Sequence, residues 1–284
     1  MKIKVITSYK PGTWEQYGKK GIESMAEQFP KEIDIVVYAE EPKPECKYDR
    51  IQWIDLNTAE PELFKFKNKH KNDPVANGEL EEIPGGVRRP AELKTKGGKD
   101  ATKGSYLWAA VRFSNKVFCV INAVRNSKDY DYVVWIDGDT FTFRPVPIDF
   151  FENLLPKDTM LTYLGRENPK LNDGGKYPEC GFVGYNMRHP EIQNFINDWE
   201  ELYVTDDLFK LLEWHDSYVF WHLSKLYRKQ KNITVNDIGY WKGVKGHHVF
   251  VNSELGQYMD HMKGKRKKQG TSARSDLRTS PNLE

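Results

Sequence analysis

The chemistry this chain offers begins at Asp137-Gly138-Asp139, two carboxylates one residue apart. They follow Tyr132-Val-Val-Trp-Ile136, an uninterrupted apolar run that reads as a buried strand. Acids at the end of such a strand converge on one cation where the chain turns, and Gly138 between them removes side-chain bulk. Hard oxygen ligands suit Mg²⁺ or Mn²⁺, ions that also take phosphate oxygens. The plain alternative is an Asp-Gly turn with two solvated carboxylates. A second cluster lies far along the chain, His261-Met-Lys-Gly264-Lys-Arg-Lys267. One imidazole completes a metal site begun by carboxylates, a glycine lets backbone approach a phosphate, and Lys267 supplies a point charge. Taken alone, that run reads equally as a solvated basic surface.

The elements that must hold these residues alternate in type. Residues 3–7 read as a buried strand, 14–29 as a helix, and 33–38 and 51–56 as β-branched strands. A helix over 106–124 places Ala110, Phe113, Val117 and Ile121 on one face, and Arg112 with Lys116 on another. Further strands are expected at 160–164, 181–186, 233–235 and 249–251, and helices at 191–203 and 216–227. This order predicts an α/β sheet flanked by helices, with ligands at the carboxyl ends of its strands. Residues 57–104 are crowded with Lys, Glu, Pro and Gly, without period, and read as an insertion that is either a lid or disordered.

Composition narrows the class. The chain has 284 residues, one large domain or two small ones, and 13% aromatic residues compensate in part for a modest 38% hydrophobic content. Charge nearly balances at +2, yet residues 261–284 hold seven basic side chains against two acidic ones. A basic excess confined to one segment suits a single anionic group or a solvated tail better than a nucleic-acid surface. Three cysteines without CxxC spacing argue against a disulfide scaffold and for a reducing compartment. No uncharged run nears the ~18 apolar residues of a membrane span, and the opening apolar run is short for a signal segment. A cytoplasmic protein is expected, with oligomeric state open.

Asp-x-Asp after a strand, with His-x-x-Gly-x-x-Lys near the C-terminus, resembles the GT-A-fold nucleotide-sugar glycosyltransferases. The nearest likeness is to the retaining family of glycogenin and the bacterial lipooligosaccharide galactosyltransferases. The resemblance implies a Rossmann-like mixed sheet in a single domain over 1–268, with 57–104 inserted and 269–284 a flexible tail. It also implies a Mn²⁺ (or Mg²⁺) ion on Asp137, Asp139 and His261, with Gly264 and Lys267 on the diphosphate of a donor, UDP-sugar favoured. After Lys267 the chain departs from the family, with Lys268-Gln269 where the family has Pro-Trp.

Further positions follow the same likeness. Glu179 stands where the family's Asn-x-Gly strand has Asn, and Asp216 opens the counterpart of its Asp-Gln-Asp segment. Either would orient sugar or acceptor, or serve as base if the reaction inverts; otherwise Asp216 is a helix N-cap and Glu179 an exposed strand-edge charge. Thr7, Ser8 and Tyr9 fall where such enzymes hold the nucleoside. Gly138 and the Arg112–Lys116 pair fall near the donor, unless that pair is a surface feature. The expected activity is metal-dependent transfer of a hexose to a glycan or other hydroxyl acceptor, probed by metal-dependent donor turnover. Two other readings stay open: a non-catalytic nucleotide- or glycan-binding module, and a haloacid-dehalogenase-type phosphatase with Asp137 as nucleophile. Against the phosphatase motif, Thr140 sits one place early and Phe141 takes the usual Thr/Val position.

Overall fold

The computed structural model describes residues 1–79, 105–166, 177–239, 248–273 and 276, with two short strands between 80 and 104. In chain order come β1 (Ile3–Ser8), a π-helical turn over Trp14–Gly18 running into α1 (Lys19–Gln28), β2 (Asp34–Ala39) and β3 (Ile51–Asp55). Then follow α2 (Leu56–Ala59), α3 (Pro61–His70), the two-residue strands β4 (Glu82–Ile83) and β5 (Gly86–Val87), and α4 (Ala110–Arg125). β6 (Tyr132–Ile136), β7 (Thr140–Thr142), α5 (Ile148–Leu154), β8 (Leu161–Leu164) and β9 (Glu179–Asn186) form the middle. The last elements are α6 (Ile192–Val204), α7 (Asp216–Gln230), β10 (Val235–Asp237), β11 (Met259–His261) and α8 (Arg266–Gln269).

Seven strands form one sheet in the order β10-β8-β9-β6-β1-β2-β3. β1 runs parallel to β2 and β6, while β9 runs antiparallel to both β6 and β8, so the sheet is mixed, as expected. Side chains alternate between its faces with the strand period of two. Val133 and Trp135 of β6 join one core with Phe118 and Ile121 of α4, Phe195 of α6 and Phe220 of α7. Tyr132, Val134 and Ile136 join the other, with Ile22 and Met25 of α1 and Phe151 of α5. Both faces are covered, which is why Tyr-Val-Val-Trp-Ile carries no polar alternation. The mixed α/β architecture with flanking helices is therefore the one the strand order called for.

Three departures concern the site. First, β7 and β11 pair antiparallel as a small ribbon, His261 opposite Thr140, and no pattern in the sequence announced it. Second, residues expected as a strand at 249–251 instead make a 3₁₀ turn over Phe250–Asn252. Third, the first part of the expected insertion holds the end of α2 and then α3, with Pro61 at its first turn and Leu63 and Phe66 buried against the core. Two apolar anchors among lysines are too sparse to show a period. Most of 80–104 lies outside the described residues.

The segment after His261 is also tied down. The Asp260 carboxylate accepts bonds from Thr271 Oγ1 (2.9 Å), Ser272 N (2.8 Å) and Ser272 Oγ (2.6 Å), and Arg266 Nε donates to Asp276 (2.8 Å). No helix among the described residues is long and apolar enough to cross a membrane.

Candidate active site

Parallel strands β1 and β6 end side by side, and the turn after β6 carries the two aspartates. A Cβ on Gly138 would lie 2.2 Å from the Ser8 carbonyl, so only glycine lets this turn close against the end of β1. Gly21 of α1 does the same from beneath, since a Cβ there would fall 2.3 Å from the Gly138 carbonyl. The ribbon then delivers His261. Its Nε2 lies 3.2 Å from Asp139 Oδ1 and 3.4 Å from Asp137 Oδ2, so side chains 124 and 122 residues apart in sequence meet at one nitrogen. Gly181 of β9 makes room for the ring, because a Cβ there would be 2.9 Å from His261 Cε1 and Nδ1. His248 braces it from behind, its Nε2 2.9 Å from the His261 carbonyl.

The far side of the ring faces Glu179, whose Oε1 is 3.8 Å from Nδ1; among the described residues that nitrogen has no hydrogen-bond partner. Glu179 is 2% exposed, which removes the reading of an exposed edge charge. Lys263 Nζ donates to both its oxygens, at 2.8 and 2.6 Å, and Arg166 Nη2 donates to Oε2. Burial pushes the Glu179 carboxyl up, but Lys263, His261 and Arg166 outweigh it and hold the pKa at about 2. Burial likewise opposes ionisation of Asp139, and His261 and Lys267 together bring its pKa below the ordinary carboxylate value. His261 responds in kind: burial disfavours its charged form, while Asp139, Asp137 and Glu179 raise its pKa above 6.5.

Cations complete the centre. Lys267 Nζ sits 3.0 Å from Asp139 Oδ2 and 4.3 Å from the centre of the Tyr17 ring. Gly264 takes φ +64°, the left-handed conformation that turns the chain back between His261 and Lys267. Lys116 Nζ reaches Asp137 Oδ1 (2.9 Å), Asp216 Oδ2 (3.1 Å) and the Cys180 carbonyl. Burial opposes its charge, yet Asp137 and Asp216 raise its pKa well above the usual lysine range. Trp135 Nε1 donates to the same Asp137 oxygen at 2.6 Å.

The structure thus joins Asp137, Gly138, Asp139, Glu179, Asp216, His261, Lys116 and Lys267 in one assembly, at the wall of a cleft of about 1030 Å³. Asp216 is not the N-cap of α7; His215 holds that position and Asp216 is the first helical residue. Arg112 is exposed, lies over the neighbouring Phe113 ring and lines the same cleft as Lys116. Ser8 and Tyr9 line the cleft, whereas Thr7 is fully buried beneath it. Tyr9 is 5% exposed, its ring packed against Trp14 and Trp53, so most of its surface is taken by the protein itself. Sequence reading missed Lys263, Arg166, Gly181 and Gly21. Only the glycine directly after Glu179-Cys180 offered a signal.

The residues present fit a divalent cation. Asp137, Glu179 and His261 each offer one ligand atom, all within 4.8 Å of one another. One imidazole nitrogen serves one ion, and the nitrogen shared by Asp137 and Asp139 is Nε2. Glu179 stands on the opposite side, where a carboxylate orients a metal-binding histidine through its second nitrogen.

No family model matches the chain, and no curated protein matches its sequence. Among solved structures the chain is similar to mouse xyloside xylosyltransferase 1 in its apo form. The two share 11% identity, with 84% of this chain and 85% of that one covered, at a TM-score of 0.43.

Proposed function

We propose that this protein is a divalent-metal-dependent glycosyltransferase that moves a sugar, a hexose in the first instance, from a nucleoside diphosphate to an acceptor hydroxyl. UDP is the favoured nucleotide. The observation that carries the proposal is the meeting of Asp137, Asp139 and His261 at one imidazole nitrogen, beside Lys267, with both aspartates lining a cleft. Asp137, Asp139 and His261 would hold Mn²⁺ or Mg²⁺, which supplies Lewis-acid stabilisation of diphosphate charge.

The chain's own groups do the rest. The bond between the anomeric carbon and the diphosphate oxygen breaks with its electron pair on the diphosphate. A new bond forms from the acceptor oxygen, whose proton passes to a carboxylate or to the departing diphosphate. Lys267, preorganised on Tyr17, supplies positive charge where the leaving group gains negative charge. Gly264 leaves open space beside that lysine, with nothing within 4 Å of where a Cβ would stand. Lys116, bonded to Asp137 at 2.9 Å and Asp216 at 3.1 Å, holds the two carboxylates at a fixed separation beside the sugar.

Glu179 is a poor base. A carboxylate held at about 2 by Lys263 and Arg166 gives up little on staying ionised, and it serves better to position His261. That leaves Asp216 as the carboxylate facing sugar or acceptor. Retention of anomeric configuration is the outcome we assign, from the likeness of the late motif.

The test is a panel of nucleotide sugars incubated with and without Mn²⁺. Metal-dependent release of UDP, abolished by EDTA, is expected, and proton NMR of the product reads the anomeric configuration. Tight metal-dependent UDP binding with no turnover of any donor would instead favour a binding module. Phosphate release from an aryl phosphate would favour the phosphatase.

A further inference from the structure

A chain of contacts links residues along the cleft. Tyr17 carries Lys267, Lys267 meets Asp139, His261 joins Asp139 to Asp137, and Lys116 joins Asp137 to Asp216. Directly before Asp216, the His215 ring is surrounded by others: Tyr177 at 4.5 Å, Tyr106 at 5.8 Å and Phe113 at 5.9 Å between centroids. All four line the cleft. Tyr106 is 50% exposed, so a large aromatic face stands open inside a concavity rather than packed in a core. A polar handle accompanies it, because His215 Nε2 lies 2.8 Å from Glu213 Oε2.

We propose that this aromatic end is the acceptor subsite and that its occupant is a pyranose ring, an inference that rests on the sugar-transfer reading above. That succession of contacts suggests the order in which the ligand groups sit. A diphosphate belongs against Lys267 and the Asp139 side, the transferred sugar follows over Asp137, and the acceptor hydroxyl must approach from beyond, at Asp216. What lies beyond Asp216 is the ring cluster. A pyranose has one face of C–H bonds and a rim of hydroxyls, which matches flat aromatic faces edged by hydrogen-bonding groups. A lipid chain would demand a long apolar groove free of charge, and here Asp216 lines the same cleft.

The experiment uses the full chain without nucleotide. Methyl glucoside, galactoside, mannoside and xyloside are titrated in turn, with saturation-transfer NMR excited at aromatic protons. Saturation is expected to reach the pyranose C–H protons of at least one glycoside. Tyr106→Ala and Tyr177→Leu are expected to weaken that glycoside's binding by about tenfold or more, well beyond any loss in UDP–Mn²⁺ affinity measured by calorimetry. Tyr106 is half exposed, so its truncation spares the core. The subsite falls if no glycoside receives saturation, or if both variants weaken UDP as much as the glycoside. The two readings separate cleanly: glycoside binding without metal-dependent UDP binding retains the subsite and removes sugar transfer, and the reverse removes the subsite alone.

Discussion

At the Asp139 end of the cleft each acid has a basic partner; at the His215 end a buried imidazole packs among aromatic rings, of which Tyr106 is 50% exposed. The charged end is assembled from β6, β9, the β7–β11 ribbon and α4, so each ion depends on the placement of several elements. The aromatic end draws Phe113 from α4, and His215 and Tyr106 from the segments leading into α7 and α4. Its contacts are broad and weakly directional. The contrast teaches where tolerance lies. Buried, mutually neutralising charges lose far more when one partner goes than edge-to-face rings do when one is trimmed.

The sharpest way to break that contrast is Asp139→Ala. It removes a carboxylate from Nε2 of a buried imidazole and from Lys267 at once. Metal-dependent donor turnover is expected to fall by on the order of 10²–10³-fold or more, the scale seen for loss of a preorganised electrostatic group. Initial-rate measurement against Tyr106→Ala decides the matter: comparable losses in donor turnover for the two variants would erase the distinction between the ends.

Gly181→Ala probes the same end without touching a charge. The added methyl would stand 2.9 Å from two atoms of the His261 ring, too close for both to stay. The ring is boxed in by Phe250 and His248, so displacement is resisted and overpacking of about 1–3 kcal/mol is expected in thermal unfolding. Mn²⁺ affinity should drop roughly tenfold, as when a metal ligand loses its orienting support. A variant with native melting and native Mn²⁺ affinity would show that the ring's position does not set the metal site.

How much of this was legible beforehand follows from element length and pattern. Asp137 and Asp139 stood out because five consecutive buried residues precede them. His261 stood out by motif, but the strand that carries it has three residues and pairs with another of three, below the length at which alternation shows. Nothing local in Met-Asp-His says that it lies opposite Thr140. Lys263 and Arg166 were invisible as partners of Glu179 because long-range ion pairs leave no spacing, and Lys263 looked like one more charge in a basic run. α3 hid behind lysines. Its two buried apolar residues, Leu63 and Phe66, anchor it in the core.

Proton linkage offers a gentler test of the buried charges. The Glu179 carboxyl falls from an ordinary 4.5 to about 2 on folding, so it stabilises the metal-free protein above 4.5, and that contribution disappears as pH drops toward 2. His261 has its pKa raised above 6.5; its contribution is complete below 6.5 and is lost as pH climbs through the raised value. Metal-free stability in denaturant should therefore decline on both sides of the interval between 4.5 and 6.5. Mn²⁺ affinity should run the other way across the upper limb, rising with pH as the proton on Nε2 ceases to compete. Glu179→Gln should flatten the acid limb, and an unaltered limb would mean that its charges are not coupled to folding.

The smallest effect is expected one helical turn from the centre, at Arg112. It shares a face of α4 with Lys116, four residues on, and the pair looked equivalent in sequence. In the fold they part: Lys116, mostly covered, bridges Asp137 and Asp216, while Arg112 is exposed and rests on Phe113. A solvated cation–ring contact contributes about 0.5–1 kcal/mol at most. Arg112→Ala should thus shift stability by no more than that and leave donor turnover within about threefold of the parent, an allowance set by the same small energy. Steady-state rates with saturating donor would measure it. A hundredfold loss would place Arg112 on the diphosphate after all, and would extend the buried, charge-dominated end of the cleft a full turn along α4 into the territory of the rings.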